Sequence, residues 1–419
     1  MKNALIAALL VSASCGMPVA SPDAGAPTAG GTSSAAGGST SAGGTASAGG
    51  AASAGGAAGG SASAGGSTAG GTATAGGSAG GSVSTGRLVA YVGSGNGNIT
   101  AYAVNTSTGS MTMLGATNGG TNPSFLAFDV PRSRLYAVNE GNPGQIAAFE
   151  LRPDAGLSLI NRVSSQGAGP AHVSVHPSGR FVMAANYTGG NIAILPVRDG
   201  GLGAATDTDP SGGQAHQIIA DATGRFVYVP CKAADHIAQY RFDADAGVVT
   251  PLAPATVSTA NGAGPRHLAL HPGGQWAFLI NELDDTMTSL RVAADGRLTA
   301  VDTKSTLPAG FSGSNTCAEV QVHPNGRFIF GSNRGHNSIV TFSFDDTSGA
   351  LTLVGHAPTG GNTPRHFELD PSGQLLLVAN QGSGNVHALR VDATTGVLTP
   401  LGQQATVNSP AFVGMTVLP

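Results

Sequence analysis

From Arg87 onward, apolar residues arrive in short runs rich in Val, Ile, Leu, Phe and Ala, and clusters of Gly, Pro, Asn and Asp separate the runs. Short alternating runs with turn residues between them predict β-strands, and no stretch carries the 3.6-residue period of a helix. The unit GPRHLALHPGGQWAFLINE (264–282) reads as strand, tight turn, strand. Versions of it recur as NPSFLAFDVPRSRLYAVNE (122–140), GPAHVSVHPSGRFVMAANY (169–187), GQAHQIIADATGRFVYVPC (213–231), TCAEVQVHPNGRFIFGSNR (316–334) and TPRHFELDPSGQLLLVANQ (363–381). Their second residues stand at 123, 170, 214, 265, 317 and 364, so the period is 44–52 residues. A third strand follows each core, as at 191–197 or 337–344, and a fourth follows a Gly-x-Leu turn such as Gly349-Ala350-Leu351.

Four strands in roughly 47 residues make one propeller blade. The last copy starts at Ser409-Pro410-Ala411-Phe412 and has one strand, whereas the segments 87–92, 98–104 and 110–115 supply three. Joined, they complete a seventh blade and remove the open edges of the ring. The predicted fold is therefore all-β, a seven-bladed β-propeller over residues 85–419. Its last blade is closed by three N-terminal strands and one C-terminal strand. The His/Asp-Pro-x-Gly turns fit type I geometry, with Pro at i+1 and Gly at i+3. His176, His271 and His323 occupy position i, where Asp370 stands in another copy, and read as turn residues.

Before the repeats, residues 1–15 have one lysine, an apolar run and small residues, the pattern of a secretion signal too short to span a bilayer. Ser12-Ala13-Ser14-Cys15 resembles a lipobox, which makes Cys15 a lipidation candidate, although Ser12 stands where Leu is usual. Residues 16–84 are built on Ser-Ala-Gly-Gly units and read as a disordered linker, with a root-mean-square span of roughly 40–50 Å. The expected location is outside the cytoplasm, anchored at a membrane only by lipid. Net charge is −4 and only 10% of residues are charged, with no basic stripe, which excludes nucleic acid as a partner. Cys231 and Cys317 sit in different repeats without CxxC partners, so they predict packed thiols rather than a zinc site.

In a propeller the first strand of each blade lines the central channel. Two columns of residues then meet at one mouth. The first, near the start of strand one, is Phe125, His172, His216, His267, Glu319, His366 and Phe412. The second, at the end of strand two, includes Asn139-Glu140, Asn186-Tyr187, Asn281-Glu282, Asn333-Arg334 and Asn380-Gln381. Asn at a strand end also caps turns, so the charged interruptions Glu282 and Arg334 are the stronger site candidates. Arg266 and Arg365 immediately precede His267 and His366. Neighbours on a strand point to opposite faces, so Arg266 and His267 share the channel only where the strand is frayed. No Gly-x-Ser-x-Gly elbow is present within the repeats, and Gly93 to Gly97 reads as a hairpin turn.

At GPRHLALHPGGQWAFLINE, SNRG (332–335), AHQ (215–217) and TPRHF (363–367) the chain resembles the seven-bladed propeller lactonases. These comprise the bacterial propeller-type 6-phosphogluconolactonases and the fungal carboxymuconate lactonising enzymes. The resemblance covers about residues 87–419. It implies a catalytic set of His216, Arg266, Glu282 and Arg334, and a small-molecule lactone or organic acid as partner. His172, His267, Glu319, Arg365, His366, Asn281 and Asn333 are the substrate-binding candidates around that set. Lactone opening needs a base for water and a cation or donor at the carbonyl oxygen. Glu282 and His216 are alternative bases, and the arginines are candidates for a substrate carboxylate, phosphate or oxyanion. The chemistry requires no metal and no organic cofactor, although a His/Glu ring is a donor set that a metal can use. The competing reading is a non-enzymatic surface propeller that binds an acidic ligand, glycan or protein partner. A closed propeller is commonly self-sufficient, so a monomer is expected.

Overall fold

A computed structural model describes residues 86–418. The signal, Cys15 and the linker lie outside the described residues. The described chain forms seven antiparallel sheets. Blades 1 to 6 follow in chain order over residues 126–164, 170–209, 219–258, 265–305, 317–358 and 364–406. Blade 7 takes its inner strand from Pro410–Leu418 and its other three from Arg87–Ser94, Asn98–Val104 and Met111–Asn118. The inner strand pairs along the whole of Arg87–Ser94, which is the predicted closure. Gly97 donates to the Ser94 carbonyl in the hairpin turn that the sequence suggested.

The second strand of each blade is buried on both faces, and its alternate residues feed different cores. In blade 5, Phe328 and Phe330 pack with blade 6 while Ile329 packs with blade 4. The same division gives one apolar cluster at every junction between neighbouring blades. Burying one such side chain contributes about 1.5–3 kcal/mol. A one-residue slip would exchange the two faces of a strand, so this double burial fixes the register.

Two further sets of contacts join the blades. The asparagines that end second strands reach the connection leaving the previous blade: Asn139 to Gly119 O (3.1 Å), Asn186 to Ser165 O (2.8 Å), Asn333 to Thr306 O (2.9 Å) and Asn380 to Thr359 O (2.9 Å). In blade 3 Cys231 holds the same place, and its thiol reaches Ser211 O at 3.3 Å. Cys231 and Cys317 are both free and buried, as packed thiols. At the opposite ends of the inner strands, His176, His271 and His323 open turns closed by Gly179, Gly274 and Gly326. Each also sends Nε2 to the turn carbonyl of the next blade: Gly224 (2.8 Å), Gly326 (3.1 Å) and Gly373 (3.0 Å). Gly326 adopts φ of +74°, and a Cβ there would meet the His271 ring, so both the turn and its contact require glycine.

Candidate active site

Five inner strands begin with a β-bulge. The register shifts between Pro170 and His172, Pro265 and His267, Cys317 and Val320, Pro364 and His366, and Pro410 and Phe412. A bulge leaves one residue unpaired and re-aims its side chain. Consequently Arg266 and His267 both turn inward although they are sequence neighbours. Arg266 Nη1 donates to Ala318 O at 2.7 Å, and His267 Nδ1 lies 2.8 Å from Glu319 Oε2.

The first column converges so tightly that it fills the axis. Ring centroids are 4.1 Å apart for Phe125 and His172, 4.7 Å for Phe125 and Phe412, and 4.3 Å for His366 and Phe412. His172, His267, Glu319 and His366 are buried within this plug. They therefore lie beneath the mouth rather than lining it, which corrects their expected place as substrate-binding groups. Asn281 and Asn333 are corrected likewise. Asn281 bonds Thr286 Oγ1 at 2.8 Å, Asn333 makes the interblade link, and neither borders the mouth cavity.

Blade 3 departs from the alignment by one residue. Its inner strand shrinks to Ile219–Ala220, with an isolated bridge between Ala215 and Cys231. Ile219 pairs with Tyr228 as Ala269 pairs with Phe278, so Gln217 is the counterpart of His267. His216 instead takes the bulge position of Arg266 and Arg365. The same slip hid Lys232: its N–H bonds Gln214 O as that of Glu282 bonds Gly264 O and that of Arg334 bonds Thr316 O. Lys232 thus belongs to the charged second column.

Above the plug is a cavity of about 180 Å³ lined by Glu140, Ala171, Tyr187, His216, Lys232, Glu282, Arg334 and Arg365. Of the expected catalytic set, His216, Glu282 and Arg334 border it, and Arg266 sits directly behind. Lys232, Tyr187 and Glu140 are additions. A larger cleft of about 620 Å³ lies between blades 6 and 7 beside Arg390. There Arg390 is held by the carbonyls of Thr106 and Ser107, and Asp370 by its own turn, so these two charged groups are committed.

Glu282 organises the mouth. Its Oε1 meets Lys232 Nζ at 2.7 Å and Arg334 Nη2 at 3.0 Å, and its Oε2 meets Arg266 Nε at 3.0 Å. The Arg266 contact is a close ion pair without hydrogen-bond alignment. Burial pushes the Glu282 carboxyl up, but Arg266, Arg334 and Lys232 outweigh it and hold it at about 2. The carboxylate is thus ionised and poorly basic. Glu140 Oε2 accepts from Ser124 Oγ at 2.6 Å and Asn122 Nδ2 at 2.8 Å. Arg365, partly buried, has no hydrogen-bond or ion-pair partner for its guanidinium among the described residues, and its charge faces the cavity. Burial, reinforced by Arg266 and His267, keeps His216 well below the usual imidazole range, so it is neutral at pH 7. No group of three or more His, Cys, Asp or Glu among the described residues is disposed to hold a metal ion.

The arrangement combines a neutral imidazole, several fixed cations and a compact cavity at the closed end of a propeller. Comparison with known proteins points the same way. The family model for the seven-bladed β-propeller lactonases matches residues 88–415. A 6-phosphogluconolactonase of Pectobacterium atrosepticum is 34% identical over 258 residues, covering 60% of this chain and 75% of that one. One of Serratia proteamaculans is 31% identical over 236 residues, 56% of this chain and 70% of its own. The structure of a periplasmic gluconolactonase of Pseudomonas aeruginosa superposes with a TM-score of 0.75 at 28% identity, covering 80% of this chain and all of that one. The chain belongs to the seven-bladed β-propeller lactonase family.

Proposed function

We propose that this protein hydrolyses a lactone bearing an acidic substituent, a carboxylate or a phosphate, and does so outside the cytoplasm. The observation that carries the reading is the charge imbalance at the mouth. Among the described residues, Lys232, Arg266, Arg334 and Arg365 meet two carboxylates at the cavity, Glu282 and Glu140, and Arg365 is in ion-pair contact with neither. An unpaired, partly buried guanidinium matches a carboxylate or phosphate in bidentate fashion. Glu140 keeps Oε1 for a substrate hydroxyl, and Tyr187 offers its O–H.

Of the two alternative bases, His216 is the better one. Glu282 is saturated by three cations, whereas His216 is neutral and borders the cavity. His216 Nε2 takes a proton from water as the water oxygen bonds the lactone carbonyl carbon. The carbonyl oxygen becomes an oxyanion, stabilised by Arg334 and Lys232. Collapse breaks the ring C–O bond, and the departing alkoxide recovers the proton from His216. Arg266 fixes Glu282 from behind and positions the cations. The secretion signal and the periplasmic gluconolactonase neighbour support export.

The test is proton release by the purified full-length protein on a panel of lactones, with and without an acidic group. The expected result is turnover that favours the acidic members. If no lactone turns over while free acids raise Tm, the protein is a binding propeller and the hydrolytic reading falls. Intact-mass analysis of the mature N-terminus should find a diacylglyceryl adduct on Cys15, and an unmodified terminus removes the lipid anchor.

A further inference from the structure

The plug beneath the mouth contains a continuous chain of polar contacts that lactone binding alone does not require. Glu319 Oε2 lies 2.8 Å from His267 Nδ1, and His267 Nε2 lies 3.1 Å from His216 Nδ1. The geometry points to a carboxylate–imidazole–imidazole relay, in which Glu319 and His267 act as positioning residues that fix His216 with its Nε2 lone pair aimed into the cavity.

The tautomers follow from one end to the other. Glu319 Oε2 also meets His366 Nε2 at 3.3 Å, so two imidazole nitrogens address one carboxylate oxygen. Burial pushes the Glu319 carboxyl up while His366 and Arg266 draw it down; as a carboxylate its Oε2 accepts from both rings, so His267 carries its proton on Nδ1. Its Nε2 is then a bare acceptor, which only an N–H on His216 Nδ1 can satisfy. A neutral imidazole has one N–H. His216 Nε2 is therefore unprotonated, and no group among the described residues hydrogen-bonds it. When Nε2 takes the proton of the attacking water, the new imidazolium keeps its Nδ1–H on His267. The Glu319 charge stabilises it through that ring. The proton returns from Nε2 to the alkoxide, and Glu319 remains a carboxylate throughout. Glu319 and His267 occupy the same place in successive blades, where blade 3 has Gln217, and His216 takes the neighbouring bulge position, so the relay steps out of that ring toward the cavity. The groups facing His216 are Arg266, His267 and Arg365, with the Tyr187 ring at 5.4 Å. All but Tyr187 oppose a positive His216, which makes a fixed anion behind it the missing complement.

This inference rests on the lactonase reading for its catalytic consequence but not for its geometry, and the test separates the two. Long-range 1H–15N correlation on the labelled full-length protein, without substrate, should show both His216 and His267 as Nδ1–H tautomers. A His216 Nε2–H signal overturns the relay whether or not any lactone is hydrolysed. In kinetics, Glu319→Gln should lower kcat by about 10²–10⁴-fold with KM little changed. Glu319→Asp, which keeps the charge, should recover part of that loss. Wild-type kcat in Glu319→Gln overturns the relay while leaving the hydrolytic reading intact. Should Glu319→Gln fail to fold, the tautomer measurement on the wild type still decides.

Discussion

Two rings of histidine sit at opposite ends of the same inner strands, and they do different things. His172 and His176, or His267 and His271, are separated by a single stretch of strand. At the turn end every imidazole has both nitrogens occupied by backbone. His271 Nδ1 accepts from Gly273 N–H at 3.0 Å and its Nε2 bonds the Gly326 carbonyl at 3.1 Å. His323 repeats this with Asn325 N–H (3.1 Å) and the Gly373 carbonyl (3.0 Å). At the mouth end His172 still accepts from a backbone N–H, that of Ile218 at 3.4 Å, but the partners of His216 and His267 are other side chains, and the proposed tautomer of these two is inverted. A structural histidine is thus recognised by a closed set of backbone partners. A working one depends on ionisable neighbours and keeps a nitrogen for the ligand.

The sharpest way to break this distinction is to remove one ring from each end. His216→Ala should cut kcat by about 10²–10⁴-fold, the usual worth of a general base. Chemical denaturation should find its stability within about 1 kcal/mol of wild type. Unchanged kcat would place the base elsewhere.

Acid is the next probe, because it acts on the mouth ring as a set. Burial holds His172, His216 and His267 well below the usual imidazole range and brings His366 to about 4. In the unfolded chain these groups take up protons below about 6.5. The unfolded state then binds more protons than the folded one, so stability is full above that pH and falls as pH drops from about 6.5 toward about 4. Tm measured against pH should show that limb, and His366→Phe, which imitates the neighbouring Phe412, should flatten it. A level profile in the wild type would mean that the imidazoles are hydrated.

Smaller still, Arg365→Ala should raise KM for an acidic lactone about 10–100-fold, matching a charge-assisted bond of about 1.5–3 kcal/mol. A neutral lactone should be indifferent to the change, and an equal loss on both would assign Arg365 to the scaffold. The least effect on catalysis belongs to the turn ring. His271→Ala should leave kcat/KM alone while lowering stability by about 1–3 kcal/mol, because the Gly326 carbonyl and the Gly273 N–H lose their partner. A rate change there would erase the difference between the two rings.

The blade count, the closure and the turn role of His176, His271 and His323 were legible because each depends on local pattern and period. Glu282, Arg334 and His216 were also legible at the mouth, since repeat symmetry brings equivalent positions to one axis. What was not legible depends on small departures from that symmetry. The whole unit 214–232 of blade 3 runs one residue later than a match of His216 to His267 implies, so that Lys232 hides behind Cys231 and His216 looks like a member of the wrong column. Depth was hidden as well. Sequence places Phe125, His267 and Phe412 around the axis, but only packing reveals that their rings touch and turn a channel into a floor. The asparagines were ambiguous because their partners lie in the preceding blade, about 20–27 residues back for Asn139, Asn186, Asn333 and Asn380.

The strand Pro410–Leu418 is made after every other blade, and it carries Phe412 to the wall beside His366. Until it docks, Phe125 and His366 lack the ring that packs against both of them. Ring closure and completion of the cavity floor are therefore one event, because the strand that pairs with Arg87–Ser94 is also the strand that delivers Phe412.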